Sequence, residues 1–218
     1  MASLPIVRQA VEQRRFSVEV ANACERLAAT FLLLIAAPVV IPCGFLVWLL
    51  SGRGPLIAHR RVGWRGEDLW MIKMRSMWQR RDRSAEFQWV EYLEDQTGPP
   101  HKRFNDPRVT SAFARFCRRH SIDELPQLWH VMTGEMSLVG PRPITKSELD
   151  RYYGPAAHEV LGVKPGIAGL WQVSGRNRLT YEQRRALDLQ LVRRRSLRLY
   201  LSILLRTVPE LLSGANSW

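Results

Sequence analysis

Asp123 and Glu124 are an adjacent carboxylate pair in an arginine-dense stretch, preceded by Arg118-Arg119-His120-Ser121 and followed by Leu125-Pro126-Gln127. Pro126 suits a first helical position, so both acids are expected at a helix N-terminus, where free N–H groups and the dipole favour an incoming phosphate. A carboxylate there can attack phosphorus to give an acyl phosphate. A second one can hold Mg²⁺ against diphosphate oxygens. Arg118 and Arg142 are placed to clamp phosphates. The plainer reading is a capping box, in which Ser121 and Glu124 satisfy helix-terminal N–H groups and do no chemistry. No histidine pair has ligand spacing, and neither G-x-G-x-x-G nor a Walker loop is present.

The rest of the chain says where such chemistry would occur. Its 218 residues suffice for one domain with a core and an appendage. The 32 Lys and Arg outnumber 20 Asp and Glu, for a net charge of +12, and 28 of the 32 are Arg. Arginine's planar fork matches phosphate oxygens two at a time, so the excess points to a polyanion: nucleic acid, anionic lipid or a phosphorylated substrate. Three cysteines, Cys24, Cys43 and Cys117, without C-x-x-C spacing, give neither a disulfide framework nor a zinc site.

From Leu27 to Leu50 run 24 residues without a charged side chain. As a helix they would extend ~36 Å, enough for a hydrocarbon core of about 30 Å. Pro38 divides them into arms of about half a bilayer each and predicts a kink. Four arginines flank each side within 20 residues, so neither end is marked as the outer one. A kinked single span and a re-entrant helix that returns to the same leaflet are both compatible with this pattern. Two parts follow, a membrane-association segment over 1–50 and a catalytic domain over 51–218. In the second part Leu56-Ile57-Ala58 and Leu69-Trp70-Met71-Ile72 flank Gly63-Trp64-Arg65-Gly66 as a short β-hairpin. Residues 79–104 read as a surface excursion. Short helices are predicted around Phe113–Cys117 and Leu125–Met132, the latter stopped by Gly134. Leu197, Tyr200, Leu201, Leu204, Leu205, Val208, Leu211 and Leu212 form the apolar stripe of an amphipathic C-terminal helix, suited to an anionic membrane surface or to the domain's own core. The fold class expected is predominantly α with a small β-hairpin.

The chain resembles the bacterial sugar transferases, the monotopic phosphoglycosyl transferases, from about Arg26 to its C-terminus. The motifs that carry this are His59-Arg60-Arg61-Val62-Gly63, Lys73-Met74-Arg75-Ser76-Met77, Asp106-Pro107-Arg108-Val109-Thr110, Ser121 through Gln127, Gly134 through Pro143, and Lys164 through Arg176. The short form looks most like the exopolysaccharide-initiating members. The resemblance implies a monotopic membrane protein at the bacterial inner membrane, with its catalytic domain on the cytoplasmic face. It implies transfer of sugar-1-phosphate from a UDP-sugar to undecaprenyl phosphate with release of UMP. In its terms Asp123 matches the nucleophile, Glu124 the Mg²⁺-associated acid, and Arg118 and Arg142 phosphate-binding arginines; Lys73, Arg75, Asp106 and Arg108 lie in motifs that bind donor or phosphate. Pro38 matches the proline that breaks a re-entrant helix, which turns the open choice above toward re-entry. Expected partners are the UDP-sugar, undecaprenyl phosphate, anionic membrane lipids and a second copy of the chain, not nucleic acid. The chain departs from the pattern at Ala37, Ser76, His130, Arg193-Arg194-Arg195 and Tyr200. The alternative reading, a membrane-anchored basic module binding nucleic acid or lipid, rests on charge alone, since no nucleic-acid motif is present.

Overall fold

The structure, a computed structural model, describes residues 4–78, 87–94, 109 and 111–213. Helix α1 runs from Leu4 to Ser51, with Pro38 and Pro42 inside it and no interruption of the helix at either. It is the one helix among the described residues long and apolar enough to cross a membrane by length and composition. One face recurs at helical spacing against the rest of the chain: Glu25, Ala29, Leu33, Gly44, Val47 and Ser51, of which Ala29, Gly44, Val47 and Ser51 are buried. The opposite face leaves Leu27, Phe31, Leu34, Ile35, Ile41 and Phe45 exposed.

After a tight turn, β1 (Leu56–Val62) and β2 (Asp68–Met74) pair antiparallel from Leu56↔Met74 to Val62↔Asp68. Their connection is a 3₁₀ turn with Arg65 and Gly66 at positive φ, so the expected hairpin forms and is longer than its apolar residues suggested. A third strand, β3 (Val90–Leu93), adds in parallel to the other edge of β1. It lies inside the stretch expected to be a surface excursion. A four-residue strand that pairs with a segment more than thirty residues earlier leaves little local trace. Gly54 makes the approach possible, since a Cβ there would meet the Gln88 carbonyl.

Helix α2 (Ala112–Arg119) is capped by Ser111, whose side chain accepts from the Ala114 N–H. Helix α3 (Leu128–Thr133) ends at Gly134, left-handed at φ 89°, as predicted. Strand β4 (Ser137–Val139) pairs in parallel with β5 (Gly166–Ala168), with α4 (Lys146–Glu148) and α5 (Ala157–Leu161) between them. Helices α6 (Tyr181–Arg193) and α7 (Leu197–Ser213) close the chain.

The core has three parts. One packs Ala29 of α1 on Leu69, Met71, Leu128, Val131 and Met136. A second joins β4 and β5 to Leu191 and Ile203; Ile203 and the partly buried Leu199, Tyr200 and Leu204 dock one side of α7 on the protein, while Leu197, Leu201, Leu205 and Val208 of its apolar stripe stay exposed. The third surrounds Tyr153 and Leu189. Two unusual C-terminal residues have structural partners: the Tyr200 hydroxyl donates to Glu25 of α1, and Arg193 makes a two-pronged contact with Glu159.

The two ends of the apolar part of α1 are held by the same body. Glu25 accepts from the Ser137 hydroxyl (2.6 Å) and the Leu138 N–H (3.2 Å), and Arg26 donates to the Thr133 carbonyl. At the other end Gly44 lies against Pro55, and Cys43 adjoins Cys117 of α2. Burial pushes the Cys117 thiol up to about 12, which makes it a packing residue and not a reactive one.

Candidate active site

The turn after α2 presents the two acids. Ser121 adopts the left-handed conformation (φ 53°, ψ 25°) and opens a 3₁₀ helix, Ile122–Gln127, that carries Asp123 and Glu124 in its first turn. A left-handed non-glycine residue costs about 1–3 kcal/mol and must be held by its surroundings. Here Arg176 Nη2 donates to Ser121 Oγ at 2.7 Å, in a buried contact, and Arg176 is itself left-handed (φ 48°). This excludes the capping box: the Ser121 side chain caps nothing, and the Glu124 carboxylate is turned toward β2.

Asp123 is 8% exposed, and its Oδ2 accepts from Ser76 Oγ at 3.2 Å. Arg118 Nη1 donates to the same hydroxyl at 3.4 Å, so Ser76 bridges the last turn of α2 to the carboxylate. Glu124 Oε1 accepts from Lys73 Nζ at 3.3 Å. Burial lowers the Lys73 pKa first; Glu124 and Asp123 oppose that, while the charges of Arg142 and Arg61 add to it. Lys73 therefore feels both acids and Arg142 together.

Arg142 stands on the Gly140–Pro143 loop. This loop is docked backbone to backbone on β5: Gly140 N–H donates to the Ala168 carbonyl (2.9 Å), and Gly166 N–H to the Pro141 carbonyl (2.8 Å). Behind it lies Asp188 of α6, 1% exposed, whose Oδ2 accepts from the Tyr153 hydroxyl at 2.9 Å. Burial pushes the Asp188 carboxyl up to about 7, against the Tyr153 hydroxyl, the Arg142 main chain and the charges of Arg142 and Arg184. An acid whose pKa is raised on folding binds more protons folded than unfolded. Its contribution is full below its unfolded value of about 4 and is lost as pH rises to about 7, a span of about 4 kcal/mol. We expect the unfolding temperature of the wild type to fall, relative to Asp188→Asn, between pH 4 and 7 and to run parallel to it above. A constant difference across thermal melts at several pH values would show that this carboxyl does not titrate there.

The structure thus brings Asp123, Glu124, Arg118 and Lys73 together, with Arg142 in electrostatic reach. It directs Arg75 elsewhere. Arg75 is 6% exposed, with Nε on the Gly54 carbonyl (2.9 Å) and Nη2 on Glu91 (2.6 Å), so its fork ties β2 to the turn before β1 and to β3. Asp106 and Arg108 lie outside the described residues. Pro38 sits within the uninterrupted α1. No sequence pattern marks the contacts that Ser76, Ser121, Arg176 and Asp188 make here; Ser76, Ser121 and Arg176 lie within the motifs of the resemblance, and Asp188 lies in none.

Among the described residues no three His, Cys, Asp or Glu side chains gather as a metal cage. Two adjacent carboxylates in a cationic site suit an ion that takes most of its ligands from substrate phosphates and water, as Mg²⁺ does. Glu124 and Asp123 are the side chains that would hold it.

Residues 17–214 match the family model described as bacterial sugar transferase. The exopolysaccharide production protein ExoY of Rhizobium meliloti is 38% identical over 88% of this chain and 85% of its own length. The UDP-glucose:undecaprenyl-phosphate glucose-1-phosphate transferase of Caulobacter vibrioides is 34% identical over 98% of this chain and 75% of its own. The UDP-galactose-lipid carrier transferase of Erwinia amylovora is 40% identical over 79% of this chain but only 37% of its own length. A family match across nearly the whole chain, over the same residues that build the Asp123 site, settles the classification: this protein belongs to the bacterial sugar transferase family and is an enzyme of its exopolysaccharide-initiating type.

Proposed function

We propose that this enzyme transfers a sugar-1-phosphate from a UDP-sugar to undecaprenyl phosphate through a covalent intermediate on Asp123, releasing UMP and beginning an exopolysaccharide. The observation that carries this is the setting of Asp123: a nearly buried carboxylate, hydrogen-bonded by Ser76 and set beside the Lys73–Glu124 pair and Arg118. The names of two relatives join a UDP-sugar to a lipid carrier.

In the first half-reaction an Asp123 oxygen attacks the phosphorus that bears the sugar. A P–O bond to Asp123 forms as the bond to the bridging oxygen breaks, and UMP departs with that electron pair. In the second, a phosphate oxygen of the polyprenyl acceptor attacks the same phosphorus and the aspartyl bond breaks, regenerating the carboxylate. Arg118 and Arg142 offer charge-assisted donors to the phosphoryl oxygens. Ser76 orients the nucleophile, and Arg176, by holding Ser121, sets the turn that presents it. Glu124 and Asp123 would hold Mg²⁺, which would supply neutralisation of the diphosphate charge. Two successive displacements at one carboxylate let a soluble donor and a lipid acceptor use the site in turn.

The site works at a membrane. Helix α1 enters the lipid from the cytoplasmic face of the inner membrane and returns to it, bending at Pro38 in the bilayer. The support is that Glu25 and Arg26, before the apolar stretch, contact β4 and the end of α3, while Cys43, near its end, adjoins Cys117 of α2 in the same domain. A straight crossing would separate them by about 30 Å of hydrocarbon.

The test is UMP release by the full chain in nanodiscs with Mg²⁺, undecaprenyl phosphate and a panel of UDP-sugars. We expect UMP to appear with one or a few donors and to stop with EDTA. Absence of UMP with every donor, from protein that is folded, would overturn the assignment.

A further inference from the structure

Arg184 lies on α6, one turn before Asp188, and the reaction as described leaves it without a task. Its guanidinium carbon is 5.0 Å from the ring centre of Trp171 and 5.2 Å from that of Tyr181. Arg142 uses the same indole, at 5.4 Å. Among the described residues neither guanidinium is hydrogen-bonded or ion-paired, and Arg184 Nε is buried without a partner. The carboxylates whose charges reach Arg184 are Glu148 and Asp188, and the latter is enclosed beneath the loop with Tyr153 on its Oδ2.

Two cations on one ring repel each other, and burial and the Arg142 charge both depress the pKa of Arg184. The indole face offsets part of this, but it leaves the planar N–H forks unused. Forks of this kind match phosphoryl oxygens two by two. Two adjacent forks suit a ligand with two linked phosphoryl groups better than one. The pair also has the right neighbour, since Arg142 is felt by Lys73, which is felt by Asp123 and Glu124.

We propose that Arg184 and Arg142, sharing the Trp171 ring, form a two-guanidinium clamp for the diphosphate of the nucleotide donor. This rests on the donor reading above. A lipid phosphate carries the same chemistry in single form, so the test separates the two.

The full chain in nanodiscs is titrated with UDP and with UMP, and donor and acceptor KM are measured by UMP release, for the wild type, Arg184→Gln and Arg184→Lys. We expect Arg184→Gln to weaken UDP binding and raise donor KM at least tenfold, to weaken UMP binding less, and to leave acceptor KM unchanged. Arg184→Lys, which keeps the charge and loses the fork, should recover part of the loss. Without nucleotide, Arg184→Gln should melt no lower than the wild type, because one of two repelling charges is gone. Should it melt lower, Arg184→Lys carries the comparison. Unchanged UDP binding and donor KM would overturn the clamp while leaving the transferase reading intact. A defect confined to acceptor KM would overturn it in favour of the lipid phosphate. A wild type that turns over no UDP-sugar would remove both.

Discussion

Asp123→Asn in nanodiscs, with donor, Mg²⁺ and undecaprenyl phosphate, is expected to release UMP at least about a thousandfold more slowly than the wild type. Removing a covalent nucleophile leaves only binding and electrostatic contributions to the rate. The amide is isosteric and its oxygen can still accept from Ser76 Oγ, so the turn from Ser121 to Gln127 has no reason to move. UDP binding should therefore survive. That separates loss of the nucleophile from loss of the fold. The paired measurement is trapping: wild type incubated with radiolabelled donor and no acceptor should retain label on Asp123 that hydroxylamine removes, and the variant should retain none. A variant that releases UMP at the wild-type rate would show that phosphorus is attacked by something else.

What could be read from the sequence about this site was what lies close in the chain. The adjacent acids, the rigid Gly140-Pro141-Arg142-Pro143 loop and the hairpin on either side of Gly63 are local features, and each appears where its residues suggested. The contacts that give the acids their setting are not local. Ser76 reaches Asp123 across 47 residues, and Arg176 reaches Ser121 across 55. No spacing rule connects such pairs. Local rules also suggested a role that the tertiary structure overrides: Ser121 and Glu124 have capping-box spacing, yet a left-handed Ser121 points its hydroxyl at Arg176, and Glu124 pairs with Lys73. Arg75 shows the same limit. Its motif placed it with the phosphate-binding residues, while Gly54 and Glu91 engage its fork. Pairing of β3 with β1 is what brings Glu91 there, and four residues in a polar stretch gave no sign of that strand.

Gly166→Ala should cripple the enzyme from a position that touches no substrate. A Cβ at Gly166 would lie 2.0 Å from Gly140 N and 2.6 Å from Gly140 Cα, and main chain cannot swing aside as a side-chain tip can. The β4–β5 pair must open, and two bonds would go with it: Gly166 N–H to the Pro141 carbonyl and Gly140 N–H to the Ala168 carbonyl. Overpacking of this kind costs about 1–3 kcal/mol and more when backbone is the obstacle, and each lost buried bond adds about 1 kcal/mol. For a chain of this size that is a fall in Tm of roughly 6–20 °C. The displaced loop carries Arg142, so kcat/KM for the donor should fall at least tenfold even at temperatures where the variant remains folded. Gly44→Ala is the control. Its added Cβ would meet Pro55 Cβ at 3.5 Å, an ordinary contact, and alanine favours the helix, so both Tm and turnover should hold. If Gly166→Ala keeps wild-type stability and turnover, the close approach of Gly140 and Gly166 does not set the position of Arg142, and the loop must be held by its prolines and Asp188 instead.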